Sequence, residues 1–497
     1  MQILSIVLGF VSMFIVIPFL SSDQSTYGIY TVCISATIFL SYADLGFLGA
    51  AQKYAAESYA RNDIHQEASL LGFSHFILFI ITLLIGGVFL YLSFHPEYLI
   101  SNLQDGYQTD IARKLLLILA IFTPTIVLQR LAQMIFGIRL QEYNIQRLVI
   151  IGNITKIASV FFFFTNKKYD IVGYYLFTQI ITTGISLISL LHAKIRFNYP
   201  LQILLSKFRF SYEIFNKTRT LAFSSLYVTI CWVLYYELDS IAIAKLLGAN
   251  SVAIYAIGLS LLSFVRSLFG VIFSPFSSRF NHFIGQGLQT ELRTFYFTVI
   301  KMTCPLIIFP LVAIAIMSEA IVVSWVGWEY SASVEIVIWL MLCNILAFIS
   351  YPAGVMLIAQ EKIKQMYWIN ALMVLTFWAG IALTVHIWGV ASFAMFKFLS
   401  FILTGISYLF FSLKFLQISI GHFLREVILP YLPGLIFVIT FTYLLRDTCV
   451  DGKNKLNLFY NGCLLICGIG GGLFLSLFCA SELKHHVEKI ISAFRSK

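Results

Sequence analysis

Long apolar runs separated by short polar stretches set the pattern of this 497-residue chain. An α-helix rises 1.5 Å per residue, so about 20 apolar residues cross a hydrocarbon core about 30 Å thick. Fourteen such runs occur, at 2–20, 28–48, 70–93, 113–137, 147–165, 171–191, 219–247, 252–275, 295–317, 331–359, 367–388, 390–411, 423–445 and 457–480. The pattern predicts an all-α integral membrane protein with about fourteen transmembrane helices. The first run lacks a basic leader and a small-residue cleavage site, so it reads as a retained span rather than a signal peptide. The run at 331–359 is overlong and is expected to tilt or to extend beyond the bilayer. Pro124, Pro275, Pro305, Pro310 and Pro352 are expected to let single helices bend.

The polar stretches alternate in charge. Lys and Arg gather after the even-numbered runs: Lys53 and Arg61, Arg139 and Arg147, six between Lys194 and Arg219, Arg279 and Arg293, Lys362 and Lys364, Lys414 and Arg425, then the tail from Lys484 to Lys497. The opposite stretches are poorer in them, with exceptions at Lys167, Lys168 and 446–456. The positive-inside rule then places both termini in the cytoplasm, as an even number of spans requires.

A repeat is also visible. A shift of 225 residues brings Tyr27-Gly28-Ile29-Tyr30 onto Val252-Ala253-Ile254-Tyr255. Each copy follows a short outer hairpin and opens a helix that leads into a cytoplasmic stretch, 50–69 and 276–294. Helices 1–6 (1–191) and 7–12 (219–411) are therefore read as two pseudo-twofold-related lobes around a central cavity. The basic segment 192–218 joins them, and 412–497 adds helices 13 and 14 and a tail. Six spans per lobe give both copies the same orientation, a transporter plan. The amphipathic segment 50–69 is expected either to lie along the inner surface as an anchor or to guide a lipid head group.

Composition excludes other classes. Hydrophobic residues make up 59% of the chain and charged residues 11%, against about 25% charged in a soluble domain. The formal charge of +10 is scattered over membrane loops, with no basic block interleaved with aromatics, so nucleic acid is not a partner. Eight cysteines stand singly, without a CxxC, and point to neither disulfides nor a metal. No nucleotide, zinc-protease or acyl-transfer motif occurs, so the chain is not read as an enzyme and needs no cofactor. The "GIGGG" at 468–472 reads as helix packing. A membrane glycan polymerase would need a catalytic outer loop, and the longest, about 94–112, holds Glu97, Asp105 and Asp110 with only His95 beside them.

The stretch "YGIYTVCISATIFLSYADLGFLGAAQKYAAE" at 27–57 carries Tyr27-Gly28, Asp44-Leu45-Gly46 and Glu57 in order. It resembles the helix-2 region of the Wzx-type O-antigen and polysaccharide-export flippases of the multidrug/oligosaccharidyl-lipid/polysaccharide (MOP) exporter superfamily. "QRLAQMIFGIRLQEYN" at 129–144 is similar to that family's helix-4 exit, and "ELDSIAIAKLLGANSVAIY" at 237–255 to its helix 7–8 hairpin, with Asp239 at the usual acidic position. The resemblance covers nearly the whole chain. It implies a flippase in the bacterial inner membrane that moves undecaprenyl-diphosphate-linked O-antigen repeat units to the periplasmic leaflet. A polysaccharide polymerase and a chain-length regulator are the partners it implies. The alternatives are a lipid II flippase, a multidrug cation antiporter of the same superfamily and, outside the class, the glycan polymerase.

Charges at bilayer depth name the candidate site. Each costs about 2.5 kcal/mol or more there, so it faces protein or a wet cavity. Lys156 lies about 13 Å into helix 5, Arg266 near the middle of helix 8, and Lys397 about 10 Å from the outer end of helix 12. These three are expected to line a cationic cavity for an anionic head group, with Arg130 and Lys301 as lower members. The competing reading for each is a structural ion pair or a snorkelling side chain. On the acidic side stand Asp44, Glu237, Asp239 and Glu335. Asp44 reads as a helix cap, as a partner of Lys53 or Arg61, or as a cytoplasmic gate. On one continuous helix Glu237 and Asp239 point about 200° apart, so one faces the cavity and the other packs or gates. Either could carry a coupling H+ or Na+ if burial raises its pKa.

Overall fold

A computed structural model describes residues 2–41, 43–103, 106–164, 168–360, 363–448 and 452–479. Asp105, Lys167, Lys362 and the basic residues of the tail lie outside the described residues. Every described element is a helix or a turn, and no strand occurs among them. Among the described residues ten helices are long and apolar enough to cross a membrane, and one bent pair would make an eleventh. The chain is a multi-pass membrane protein. The remaining three of the fourteen runs differ for local reasons. The first contributes a shorter apolar helix, Val11–Leu20. The runs at 28–48 and 219–247 are helical but interrupted.

Contacts divide the chain into two compact units, Met1–Ala256 and Ile257–Lys497. In the first, the helix Gln24–Ala36 starts under Asp23, whose carboxylate accepts the Thr26 N–H at 3.2 Å and its hydroxyl at 2.7 Å. The expected helix over 28–48 stops at Ser41. Leu45 and Gly46 both adopt left-handed backbone, φ 48° and 82°, and a new helix, Phe47–Ala60, begins. A tight turn at 61–63 leads into Ile64–Phe94, capped by Asp63. The segment 50–69 is two helices joined by a tight turn. Its small residues Ala51, Ala55 and Ala68 are buried in a core with Leu131, Ile135 and Ile138 of the helix Ile126–Ile138. Pro124 sits where the long span Gly106–Ile138 passes through a short tighter turn, as a kink there requires.

In the second unit the overlong run at 331–359 is two helices, Ser333–Leu342 and Ala347–Ala359, bent by 48°. The bend lies at 343–346, ahead of Pro352. The backbone there changes to bonds three residues apart, including Asn344 N–H to Met341 at 3.3 Å and Ile345 N–H to Leu342 at 3.0 Å. Leu346 packs where Gly405 has no side chain: a Cβ on Gly405 would stand 2.7 Å from the Leu346 Cδ1. The helix Gln289–Ile316 runs on through Pro305 and Pro310. The "GIGGG" helix Lys455–Cys479 lies against Leu432–Leu445, where a Cβ on Gly472 would meet the Gly434 carbonyl at 2.9 Å and one on Gly471 the Phe437 ring at 2.4 Å. That is close small-residue packing of membrane helices.

One glycine of the repeated motif is bound to the fold by close approach. A Cβ on Gly28 would stand 1.9 Å from the Ala249 carbonyl oxygen, at the start of the helix Ala249–Gly285. Backbone cannot yield as a side-chain tip can. Gly28→Ala is therefore expected to destabilise the detergent-solubilised chain by about 1–3 kcal/mol. Gly49→Ala, on an exposed helix face with nothing within 4 Å, is expected to stabilise it by up to about 1 kcal/mol. Thermal unfolding checks both, and equal effects from the two substitutions would refute the account.

Candidate functional site

Asp44 stands in the break between two helices of the first unit. Its carbonyl accepts the Phe47 N–H at 2.9 Å and its carboxylate the Leu48 N–H at 3.1 Å. It thereby satisfies donors at the start of the new helix, which hydrocarbon would leave unbonded. Of the readings the sequence offered, the structure shows the cap. Neither Lys53 nor Arg61 is its recorded partner. The Lys53 ammonium lies 5.5 Å from the Tyr54 ring, and Arg61 ends the helix Phe47–Ala60. The cation acting on the Asp44 carboxylate is Arg130. Arg130 in turn lines a pocket of 380 Å³ with Gln129, Gln133 and Gln146.

Lys156 lies in the span Glu142–Phe163, and its ammonium donates to the Thr182 hydroxyl at 2.7 Å across to the helix Ile171–Phe197. That hydroxyl in turn donates a hydrogen bond to the Thr178 carbonyl at 2.8 Å. No carboxylate pairs with Lys156 among the described residues, so its charge is not cancelled locally.

The stretch Tyr235–Gly258 is not one helix. Glu237 ends Tyr212–Tyr236, with φ −120°, and Asp239 opens Asp239–Leu247. The angle expected between Glu237 and Asp239 on a continuous helix therefore does not apply. Asp239 is fully buried at a helix N-terminus, where a carboxylate is favoured. It accepts a short hydrogen bond from the buried Tyr255 hydroxyl, which ties the two arms of the hairpin together. Lys245 is at the exposed far end and donates to the Glu97 carbonyl at 3.2 Å.

In the second unit, Lys301 pairs with Glu426 at 3.0 Å and lies 4.6 Å from the Phe297 ring. It is a structural ion pair, the competing reading for that residue. Arg266 is half-buried on the helix Ala249–Gly285, within electrostatic reach of Tyr351. Lys397 is fully buried on Ala391–Leu416, its ammonium 5.4 Å from the Phe377 ring. Glu335 is exposed and accepts from the Trp339 indole at 3.4 Å. No cluster of three or more His, Cys, Asp or Glu able to hold a metal occurs among the described residues.

The strongest charge pair escaped the sequence reading, which took Arg139 as a loop cation. Arg139 grips Glu67 with both terminal nitrogens, at 2.8 and 3.2 Å, and donates to the Ile135 carbonyl at 3.2 Å. The two side chains are 6% and 0% exposed. The rings of Tyr59, Phe197 and Tyr199 surround the guanidinium at 4.6, 5.2 and 5.1 Å. Burial, together with the Glu67 carboxylate, pushes the Tyr199 phenol above its usual pKa. The signal was present: Arg139 falls four residues after Ile135 and eight after Leu131, in phase with the core face.

No protein-family model and no curated protein sequence matches the chain. Solved structures do. The lipid II flippase MurJ, in an inward closed conformation, matches with a TM-score of 0.68 at 17% identity, over 97% of this chain and 98% of that one. An inward-facing multidrug resistance MATE family transporter of the MOP superfamily matches with a TM-score of 0.61 at 15% identity, over 83% and 94%. A MOP superfamily transporter from Pyrococcus furiosus, described by a reverse polarity of its binding pocket that suggests a different function, matches with a TM-score of 0.51 at 13% identity, over 84% and 96%. At such identities the likeness establishes the fold, which is that of the transporters of the MOP superfamily.

The buried pair sets a stability test. Glu67→Gln is expected to cost about 3–5 kcal/mol, because it strands the Arg139 charge among rings. Replacing both partners, Glu67→Leu with Arg139→Met, should recover most of that loss. A thermal-unfolding double-mutant cycle reads the coupling, and additive single losses would contradict the pairing.

Proposed function

We propose that this chain is a flippase for a lipid-linked saccharide with an anionic head group, of the undecaprenyl-diphosphate-linked O-antigen type. The observation that carries the reading is Lys156, a membrane-depth cation held by a threonine hydroxyl and by no carboxylate among the described residues. Such a charge is costly in hydrocarbon and is favoured where an anion visits. Lys397, fully buried in the second unit, and Arg266, half-buried on the helix Ala249–Gly285, are further cations in apolar spans. Lys301 contributes less, being paired with Glu426. The MurJ match supports a lipid-linked cargo, because it spans 97% of the chain where the MATE match spans 83%.

In this reading the saccharide and diphosphate cross by alternating access while the polyprenyl tail stays in lipid. No hydrolytic motif occurs in the sequence, so an ion gradient, the membrane potential or consumption of product supplies the energy. A multidrug cation antiporter is disfavoured by the charge of Lys156, which would repel its cargo. Lipid II shares the chemistry of the proposed cargo, so the repeat unit itself must be tested. A glycan polymerase is disfavoured by the short outer loops.

Deletion is expected to leave single lipid-linked repeat units on the inner face of the membrane. Unpolymerised units facing outward would instead indicate a polymerase. Lys156→Met and Lys397→Met, at unchanged protein level, should each lower surface glycan about tenfold, the equivalent of about 1.4 kcal/mol. Normal surface glycan in both variants would remove the cationic reading.

A further inference from the structure

The helix Ile126–Ile138 ends an apolar span yet carries Gln129, Arg130 and Gln133. The three lie within an arc of about 100°. The opposite side, with Leu131, Ala132, Ile135 and Ile138, is buried in the core of the first unit. Polar side chains collected on one face of a membrane helix must meet something polar, because hydrocarbon penalises them. What they meet is the 380 Å³ pocket, which Gln52 and Gln146 also line from two further helices. That volume is within the range of about 300–1,000 Å³ typical of small-ligand sites. Gly137 keeps part of it open: a Cβ there would crowd the Glu142 Oε1 at 3.1 Å and the Gln52 Nε2 at 3.2 Å.

The chemistry of the lining selects a ligand. Four amides converge, each with a carbonyl acceptor and two N–H donors. None of the four makes a hydrogen bond within the protein among the described residues. Hydroxyl groups on adjacent carbons, each both donor and acceptor, complement such a set. Arg130 adds a fork of donors suited to a phosphate oxygen. The Glu142 carboxylate in the same lining and the Asp44 carboxylate both offset part of its charge, so hydrogen bonding rather than net charge dominates the pocket.

We propose that this pocket is a saccharide subsite. It reads one or two sugar rings through Gln129, Gln133 and Gln146, with Arg130 beside the phosphate that joins sugar to lipid. The inference rests on the flippase reading and adds which part of the cargo is recognised, and by which residues.

The test uses the full chain in nanodiscs and two probes, undecaprenyl diphosphate and the same lipid carrying one N-acetylglucosamine. The wild type is expected to hold the glycosylated lipid about tenfold more tightly than the bare one, the worth of one or two net hydrogen bonds. The double variant Gln129→Leu with Gln133→Leu should lose that preference while binding the bare lipid as before. Gln146→Leu, on a different helix, should lose part of it, and thermal unfolding confirms that both variants are folded. A wild type without preference, a variant that retains it, or an equal loss for both lipids overturns the subsite and leaves the flippase reading standing. A wild type that binds neither probe overturns the flippase reading, and the subsite with it.

Discussion

In hydrocarbon an unbonded backbone donor or acceptor costs several kcal/mol, with no water present to replace the missing partner. That penalty explains where the helices of this chain are interrupted and what stands at each interruption. At 42–46 the helix stops, and Asp44 supplies both a carbonyl and a carboxylate to the donors of the next one. At 237–238 the chain breaks again, and Asp239 opens the following helix with the Tyr255 hydroxyl bonded to it. At 343–346 no acid is needed, because bonds three residues apart carry the backbone through the bend. Asp44 thus answers a broken helix through bonds to backbone donors, whereas the Asp239 carboxylate joins the two arms of its hairpin through Tyr255.

The cations divide by a related argument. Arg139 and Lys301 have carboxylate partners and belong to the scaffold. A bidentate guanidinium enclosed by three rings and facing a fully buried carboxylate fixes how the helix Ile126–Ile138 meets the start of Ile64–Phe94. Lys156 differs in kind. A threonine hydroxyl orients its ammonium, and no carboxylate pairs with it among the described residues. The same helix that presents Arg139 to the scaffold presents Gln129, Arg130 and Gln133 to a pocket. One element therefore packs into the core on one face and lines a pocket with the other.

Much of the fold was legible before any coordinates. Each apolar run lies wholly or partly in helix, the prolines marked a kink at 124, and the glycines at 468–472 pack as their spacing implied. Gly28, noticed in the stretch Tyr27–Tyr30 that is echoed at 252–255, is explained by the Ala249 carbonyl against it. The site was less legible. Periodicity assumes a continuous helix, so it misjudged Glu237 and Asp239. A charge placed by counting along a run says nothing of its partner, so the pairing of Lys301 with Glu426 stayed out of view. Glu67 and Arg139 are 72 residues apart in sequence, and each looks ordinary alone.

Sequence by itself determined that this chain is helical and crosses a membrane many times, because runs of about 20 apolar residues have no other stable arrangement. It also determined which residue types sit at depth. Tertiary structure alone decided which of those charges meet a carboxylate, as Arg139 and Lys301 do. Cancellation depends on side chains from distant segments meeting within about 3–4 Å, and no local pattern encodes that distance.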